Sequence, residues 1–247
     1  MTAGSDIQAG LDGGSTTGQL GESTDSGQPL EAPVYATRLA PPATLHYVMQ
    51  RGVASGHAVL RWAPEGDRYA LLLRADLATA PHVTRASQGL LDAHGIAPER
   101  YAEGRRGRES RAVNFRRDRE RITFSGPQIE HPLPAGAQDR LSWMLQVGAV
   151  LAANRSLEAA GQTVLLFVVG ARGDADVWTF TVQGQEQIDL PGTGAVETVH
   201  LRREPRHIYD TLVELWLDPK RHHLPVRAHL TLRGERTQFV LQELVLP

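Results

Sequence analysis

The chain of 247 residues contains no cysteine. Disulfides, thiolate zinc sites, a cysteine nucleophile and a lipidated cysteine are therefore excluded within these residues. Lysine is reduced to Lys220, so positive charge rests almost wholly on arginine. Together with abundant alanine and glycine, that is the composition of a GC-rich genome. Phosphate recognition by guanidinium groups is the alternative reading, weakly supported by net charge alone. No apolar run reaches the roughly 20 residues that a bilayer span needs. No secretory signal is present either, and taken alone these residues read as cytoplasmic. The first 33 residues carry Asp6, Asp12, Glu22, Asp25 and Glu31 with no Lys or Arg, which leaves +3 for the rest of a chain whose total is −2. They are rich in Gly, Ser, Thr and Gln without apolar periodicity, so residues 1–42 are expected to form a disordered tail or linker. Pro33, Pro41 and Pro42 mark the entry to a single antiparallel β domain over 43–247.

What fills that domain is alternation of period two. In GDRYALLLRADL, Tyr69, Leu71 and Leu73 share a face. Val113 and Phe115, then Ile122 and Phe124, alternate with polar neighbours, and Trp178, Phe180 and Val182 do the same. This is the half-buried strand pattern. QTVLLFVVG is apolar throughout and is expected to be a central, fully covered strand. About a dozen short strands separated by turns, without a repeat period, indicate an antiparallel β protein.

One segment breaks the pattern. From Leu141 to Ala153 the residues are apolar on nearly every side, leaving only Ser142 and Gln146 as a narrow polar stripe. A surface helix has one apolar face, so this one is expected to be buried around most of its circumference. At roughly 13 residues it is too short to cross a bilayer. Asp139 is placed to cap its start and Arg140 to pair with a sheet carboxylate, while Leu145 anchors it in the core.

Residues 100–121 include nine arginines, but Glu103, Glu109, Asp118 and Glu120 are mixed among them and only Tyr101 and Phe115 could stack on bases. That pattern favours a solvated sheet face with cross-strand charge pairs over nucleic-acid binding. His200, His207, His222, His223 and His229 lack an HExxH or carboxylate-paired spacing, and no metal is expected. Ser142, with His131 upstream and Asp139 beside it, has no GxSxG elbow, so a hydrolase is the weakest functional reading. The glycines of PGTG and GRRG do not join a strand to a helix as a phosphate loop must, and no cofactor is expected.

Three passages carry a family resemblance. They are SQGLLDAHGIAPERYAEGRRGR at 87–108, LPAGAQDRLSWMLQ at 133–146 and VELWLDPKRHHLPVRAHLTLRGE at 213–235. The most specific parts are Asp139-Arg140-Leu141-Ser142 and Trp216 followed by Pro225-Val226-Arg227. The chain resembles the bacterial domain-of-unknown-function family 3108 over about residues 43–247. The resemblance implies an exported protein of the periplasm and cell envelope, tethered through a low-complexity linker. It also implies a strongly curved antiparallel sheet, a half-barrel or clam, wrapped around one central helix at about 138–154, similar to lipoprotein carriers of the LolA/LolB type. It carries no catalytic residues. The expected function is that of a non-catalytic envelope protein binding a lipid, lipoprotein or envelope component in the half-barrel, with Trp62, Trp178, Phe180, Trp216 and Phe239 as candidate lining. A ligand-free interaction or structural module of the envelope is the alternative. The expected partners are thus a lipid or an envelope protein, and not nucleic acid.

Overall fold

The computed structural model describes residues 32–78 and 82–247. The tail expected over 1–42 lies outside the described residues as far as residue 31. The chain first lays down β1 (Ala43–Arg51), β2 (Ala54–Glu65), β3 (Arg68–Leu77), β4 (Val83–Asp92), β5 (Gly95–Arg105), β6 (Arg108–Arg116), β7 (Arg121–Phe124) and β8 (His131–Pro132) as a meander. It continues through a short β9 (Gln138–Asp139) into the helix α1 (Trp143–Ala153). A second meander returns through β10 (Thr163–Val169), β11 (Ala175–Leu190), β12 (Gly194–Arg203), β13 (Thr211–Asp218), β14 (Leu224–Leu232) and β15 (Glu235–Val245). All belong to one sheet, in the order β8-β7-β6-β5-β4-β3-β2-β1-β15-β14-β13-β12-β11-β10-β9. Neighbours are antiparallel except β9 and β10. The two meanders join where β15 returns beside β1, pairing Tyr47 with Leu241 and Leu45 with Leu244.

The sheet is curled nearly into a ring. β8 and β9 lie at opposite ends of the strand order, yet only residues 133–137 separate them in sequence. So short a link spans at most about 20 Å, which forces the two ends together. The His131 ring nitrogen Nε2 donates to the Gly173 carbonyl at 2.8 Å, joining the end of the first meander to the β10–β11 turn. A strongly curved antiparallel sheet around one helix is therefore what the chain forms.

Alternation decides which side chains enter the ring. Leu45, Tyr47 and Met49 of β1, Leu60 and Trp62 of β2, and Tyr69 and Leu71 of β3 are buried. So are Val213, Leu215 and Leu217 of β13. The helix occupies the middle. Nine of its eleven residues are buried, and its two sides meet different clusters. Leu141 and Leu145 pack with β1, β2, β3 and β5. Trp143, Val147, Val150 and Leu151 pack with β10 to β13. The helix begins later than expected, because Gln138 and Asp139 extend as β9 before the chain turns.

One expectation for the strands is corrected. QTVLLFVVG forms β10, which is not central: β9 covers it only over Val168 and Val169. Its apolar character has another cause. Val164, Leu166 and Val168 face the helix, while Phe167 packs into the other cluster. A strand near an edge reads as central when both faces are covered.

The segment before Ala43, assigned to the tail from sequence, is held to the body. Arg38 N–H donates to the Ala149 carbonyl at 2.9 Å and its guanidinium to the Ala152 carbonyl. Asn154 Nδ2 donates to the Ala36 carbonyl at 2.9 Å, and Leu165 N–H to the Tyr35 hydroxyl at 3.0 Å. This segment supplies donors that the last turn of a helix otherwise lacks.

Close packing inside the ring depends on Gly148. A Cβ there would stand 2.5 Å from the His223 carbonyl oxygen just ahead of β14. Helix propensity alone makes Gly→Ala stabilising by about 1 kcal/mol. Overpacking a tight contact costs about 1–3 kcal/mol, and here the obstacle is backbone. Gly148→Ala is therefore expected to lower stability by about 1–2 kcal/mol net in urea melts. A gain in stability would show that helix and strand are not this close.

Candidate functional site

The start of α1 is the most polar part of the interior, and the Asp139-Arg140-Leu141-Ser142 stretch builds it. Asp139 is fully buried. It sits three residues before the first helical turn, where Ser142 holds the cap position. Its Oδ1 accepts from the Leu141 and Ser142 N–H groups at 2.7 and 2.8 Å, closing the turn between β9 and the helix. Its Oδ2 accepts from Ser87 Oγ on β4 at 2.5 Å. Ser87 Oγ lies 2.7 Å from the Tyr69 hydroxyl on β3, so the network crosses from helix to sheet. Burial pushes the Asp139 carboxyl up to about 6 against the pull of these donors. Arg140 turns outward and its guanidinium pairs with Asp174 in the β10–β11 turn.

Gln146, overlooked as a mere polar stripe, is the second clamp. Its Oε1 accepts from Ile96 N–H at 2.9 Å and its Nε2 donates to the His94 carbonyl at 2.7 Å. A glutamine on an otherwise apolar circumference was the available signal. Ser142 Oγ accepts from Asp139 N–H at 2.9 Å and is fully buried. His131 is engaged with Gly173 instead, so the Ser142 and His131 pairing considered from sequence is not assembled.

The five candidate lining aromatics do not share a cavity. Trp62 borders an internal void of about 10 Å³ beside Leu145, Ala149 and His223. That is room for about one water. Trp178 and Phe180 pack on Trp143, with ring centroids 5.6 and 5.1 Å from it. Trp178 also lies between two guanidinium groups, Arg140 at 4.5 Å and Arg203 at 4.1 Å from its ring. Arg203 is itself buried and forms a forked pair with Asp210. Burial would raise the Asp210 carboxyl, but the Arg203 hydrogen bonds and two backbone donors hold it at about 2. Phe239 is half-buried, edge-on to Tyr47.

Trp216 is elsewhere, on the outer face of β13. A bulge near Gly184 shifts the β11–β12 register. Beyond it, the distal part of that hairpin folds as an arm across the outside of the sheet. Glu186 on the arm accepts from the Trp216 indole N–H at 2.8 Å, and the Asp189 carbonyl accepts from Arg227 of β14 at 3.0 Å. Ile188, Leu190 and Val196 of the arm join the buried cluster that includes Trp216. His200 stacks on Trp216 at 4.3 Å, and His229 meets it edge-on at 4.7 Å. Burial lowers the affinity of both imidazoles for a proton, despite Glu186 and Glu214 near His200 and Glu214 near His229. The arm tip, Pro191 and Gly192, borders an open groove of about 550 Å³ with His46, His57, Val59 and Glu243.

The remaining histidines are dispersed. His223 is buried against Glu158 at 3.0 Å, and His207 accepts from Tyr209 N–H. Among the described residues no group of three or more His, Asp or Glu side chains is arranged to hold a metal ion. The arginine-rich strands carry ion pairs on an exposed face, Arg100 with Glu109 and Arg68 with Glu99, both at 2.6 Å. Among the described residues no helix is long and apolar enough to cross a membrane.

These features define a barrel-like antiparallel β protein whose centre is filled by its own helix. The chain belongs to the family described as protein of unknown function DUF3108, whose sequence profile matches residues 43–234. No curated protein matches it. The crystal structure of a β-barrel-like protein of domain of unknown function DUF1849 from Brucella abortus is similar in fold. It has a TM-score of 0.50 at 15% identity and covers 86% of this chain and 100% of that one.

Proposed function

We propose that the protein is a non-catalytic, periplasmic component of the cell envelope that works through contacts on its outer surface rather than by enclosing a ligand. The observation that carries this reading is the filled interior: α1 packs on two sides, and the void beside it is about 10 Å³. Ligand pockets for drug-sized molecules run to about 300–1,000 Å³. A lipid in the half-barrel would have to displace the helix and break the Asp139 and Gln146 clamps. The envelope location rests on the resemblance set out from sequence.

Native mass spectrometry of the protein recovered from the periplasm of its own host tests both parts. The expected result is recovery there at the mass of the polypeptide alone. An added mass released by organic solvent would overturn the surface-contact reading in favour of an interior cargo. Absence from the periplasm would overturn the location.

A further inference from the structure

Strand directions place the 52–53, 106–107, 170–174 and 233–234 turns and the 204–210 loop on one rim of the barrel. Apolar side chains protrude from it, among them Val53 at 106% relative exposure, Ile208 at 74%, Tyr209 at 64% and Leu232 at 45%. They are neighbours. Arg51 pairs with Glu235 at 2.5 Å, tying the β1–β2 turn to the β14–β15 turn. Thr211 pairs with Leu232 across β13 and β14, which brings the 204–210 loop alongside. The Arg233 guanidinium lies 4.4 Å from the Tyr209 ring centroid.

Charge on this rim is unevenly committed. Glu235, Asp174, Asp176, Glu204 and Asp210 are each held by an arginine within the protein. Arg106, Arg108, Arg172 and Arg233 are exposed and have no carboxylate within 4.0 Å among the described residues; the rim acids without an arginine include Glu130 and Asp76, the latter facing His82 at 2.5 Å. Between the 52–53 and 233–234 turns lies an open groove of about 550 Å³ bordered by Gln50, Arg233, Arg236 and Gln238.

Protruding apolar tips backed by uncommitted arginines suit a soft anionic layer. The tips penetrate, an aromatic ring sits at the boundary, and guanidinium groups meet phosphates. A rigid protein partner would need a relief matched to three separate turns, and a nucleic acid would gain nothing from exposed Val53 and Leu232. We propose that this rim seats the protein on an anionic phospholipid surface, with Val53, Ile208, Tyr209 and Leu232 entering the acyl boundary and Arg106, Arg108, Arg172 and Arg233 contacting lipid phosphates. The inference deepens the surface-contact reading and rests on it.

The test is cosedimentation of the full chain with vesicles made of equal parts phosphatidylglycerol and phosphatidylcholine, against phosphatidylcholine alone. The expected result is binding to the mixed vesicles that weakens with salt. Val53→Asp combined with Leu232→Asp should reduce it about tenfold or more at an unchanged melting temperature. Val245→Asp, at the opposite rim, should leave it unaltered. No binding by the unmodified protein, or full binding by the double variant, overturns the proposal. So does equal binding of both proteins to single-stranded RNA and to vesicles, which would reduce the rim to a general polyanion contact. A protein that ignores vesicles but is recovered from the periplasm without added mass defeats the lipid rim alone. An interior cargo defeats the broader reading.

Discussion

Leu145→Asp is expected to abolish cooperative unfolding, leaving a chain without a melting transition. Leu145 is 6% exposed on the side of α1 that faces β1, β2 and β3. Losing the leucine side chain alone costs about 2–5 kcal/mol. The new carboxylate adds the penalty of an unpaired charge among apolar side chains, several kcal/mol unless it takes up a proton. Together these approach the typical net stability of about 5–15 kcal/mol. Leu145→Ala separates the two contributions, since it should still fold with a lowered denaturation midpoint. A cooperative, near-wild-type melt of Leu145→Asp would refute the central position of the helix.

A pH dependence opposite to the usual acidic loss of stability is expected from Asp139. Its carboxyl titrates at 3.8 in an ordinary setting and at about 6 when folded, because burial disfavours the charge. Between those values the unfolded chain has released the proton while the folded one retains it. The contribution of this group is therefore fully present at low pH, declines as pH rises towards about 6, and is level above that. The full swing is up to about 3 kcal/mol. Asp139→Asn keeps an acceptor for the Leu141 and Ser142 N–H groups and removes the titration. Urea melts of both proteins from about pH 4 to about pH 7 give the difference directly, and all other groups cancel in it. Wild-type stability relative to the variant should fall across this range. A difference that is flat or rises with pH would mean that the carboxylate is well solvated or better paired than its surroundings indicate.

How far the sequence reveals this molecule depends on the range of the interaction. The apolar circumference of Leu141–Ala153 is a local pattern, and it placed the helix in the centre. Alternation in β1, β2, β3 and β13 is local too, and the inward residues follow from it. Partners far apart in sequence were not legible. Nothing near Ser87 or Ile96 announces that Asp139 and Gln146 will reach them. Trp216 alternates out of phase with Leu215 and Leu217, which put it on the outer face, but its cover comes from an arm that only the bulge near Gly184 redirects. A glycine in a strand marks a bulge or a turn equally well. Grouping the five aromatics as one lining assumed a single inner surface, whereas the protein has a filled interior and a second apolar layer outside it.

The seam between β1 and β15 governs how the chain must be assembled. A nascent polypeptide exposes β1 first and supplies its partner last, so the pairing in the middle of the sheet closes a loop of almost the whole folded chain. Long-range closure of this kind is slow, and until it occurs the N-terminal meander carries an unpaired strand edge open to other copies. Losing the eleven residues of β15 would not trim a border. It would leave β1 and β14 as two facing raw edges at the heart of the sheet, so a truncation that removes β15 is expected to be poorly tolerated.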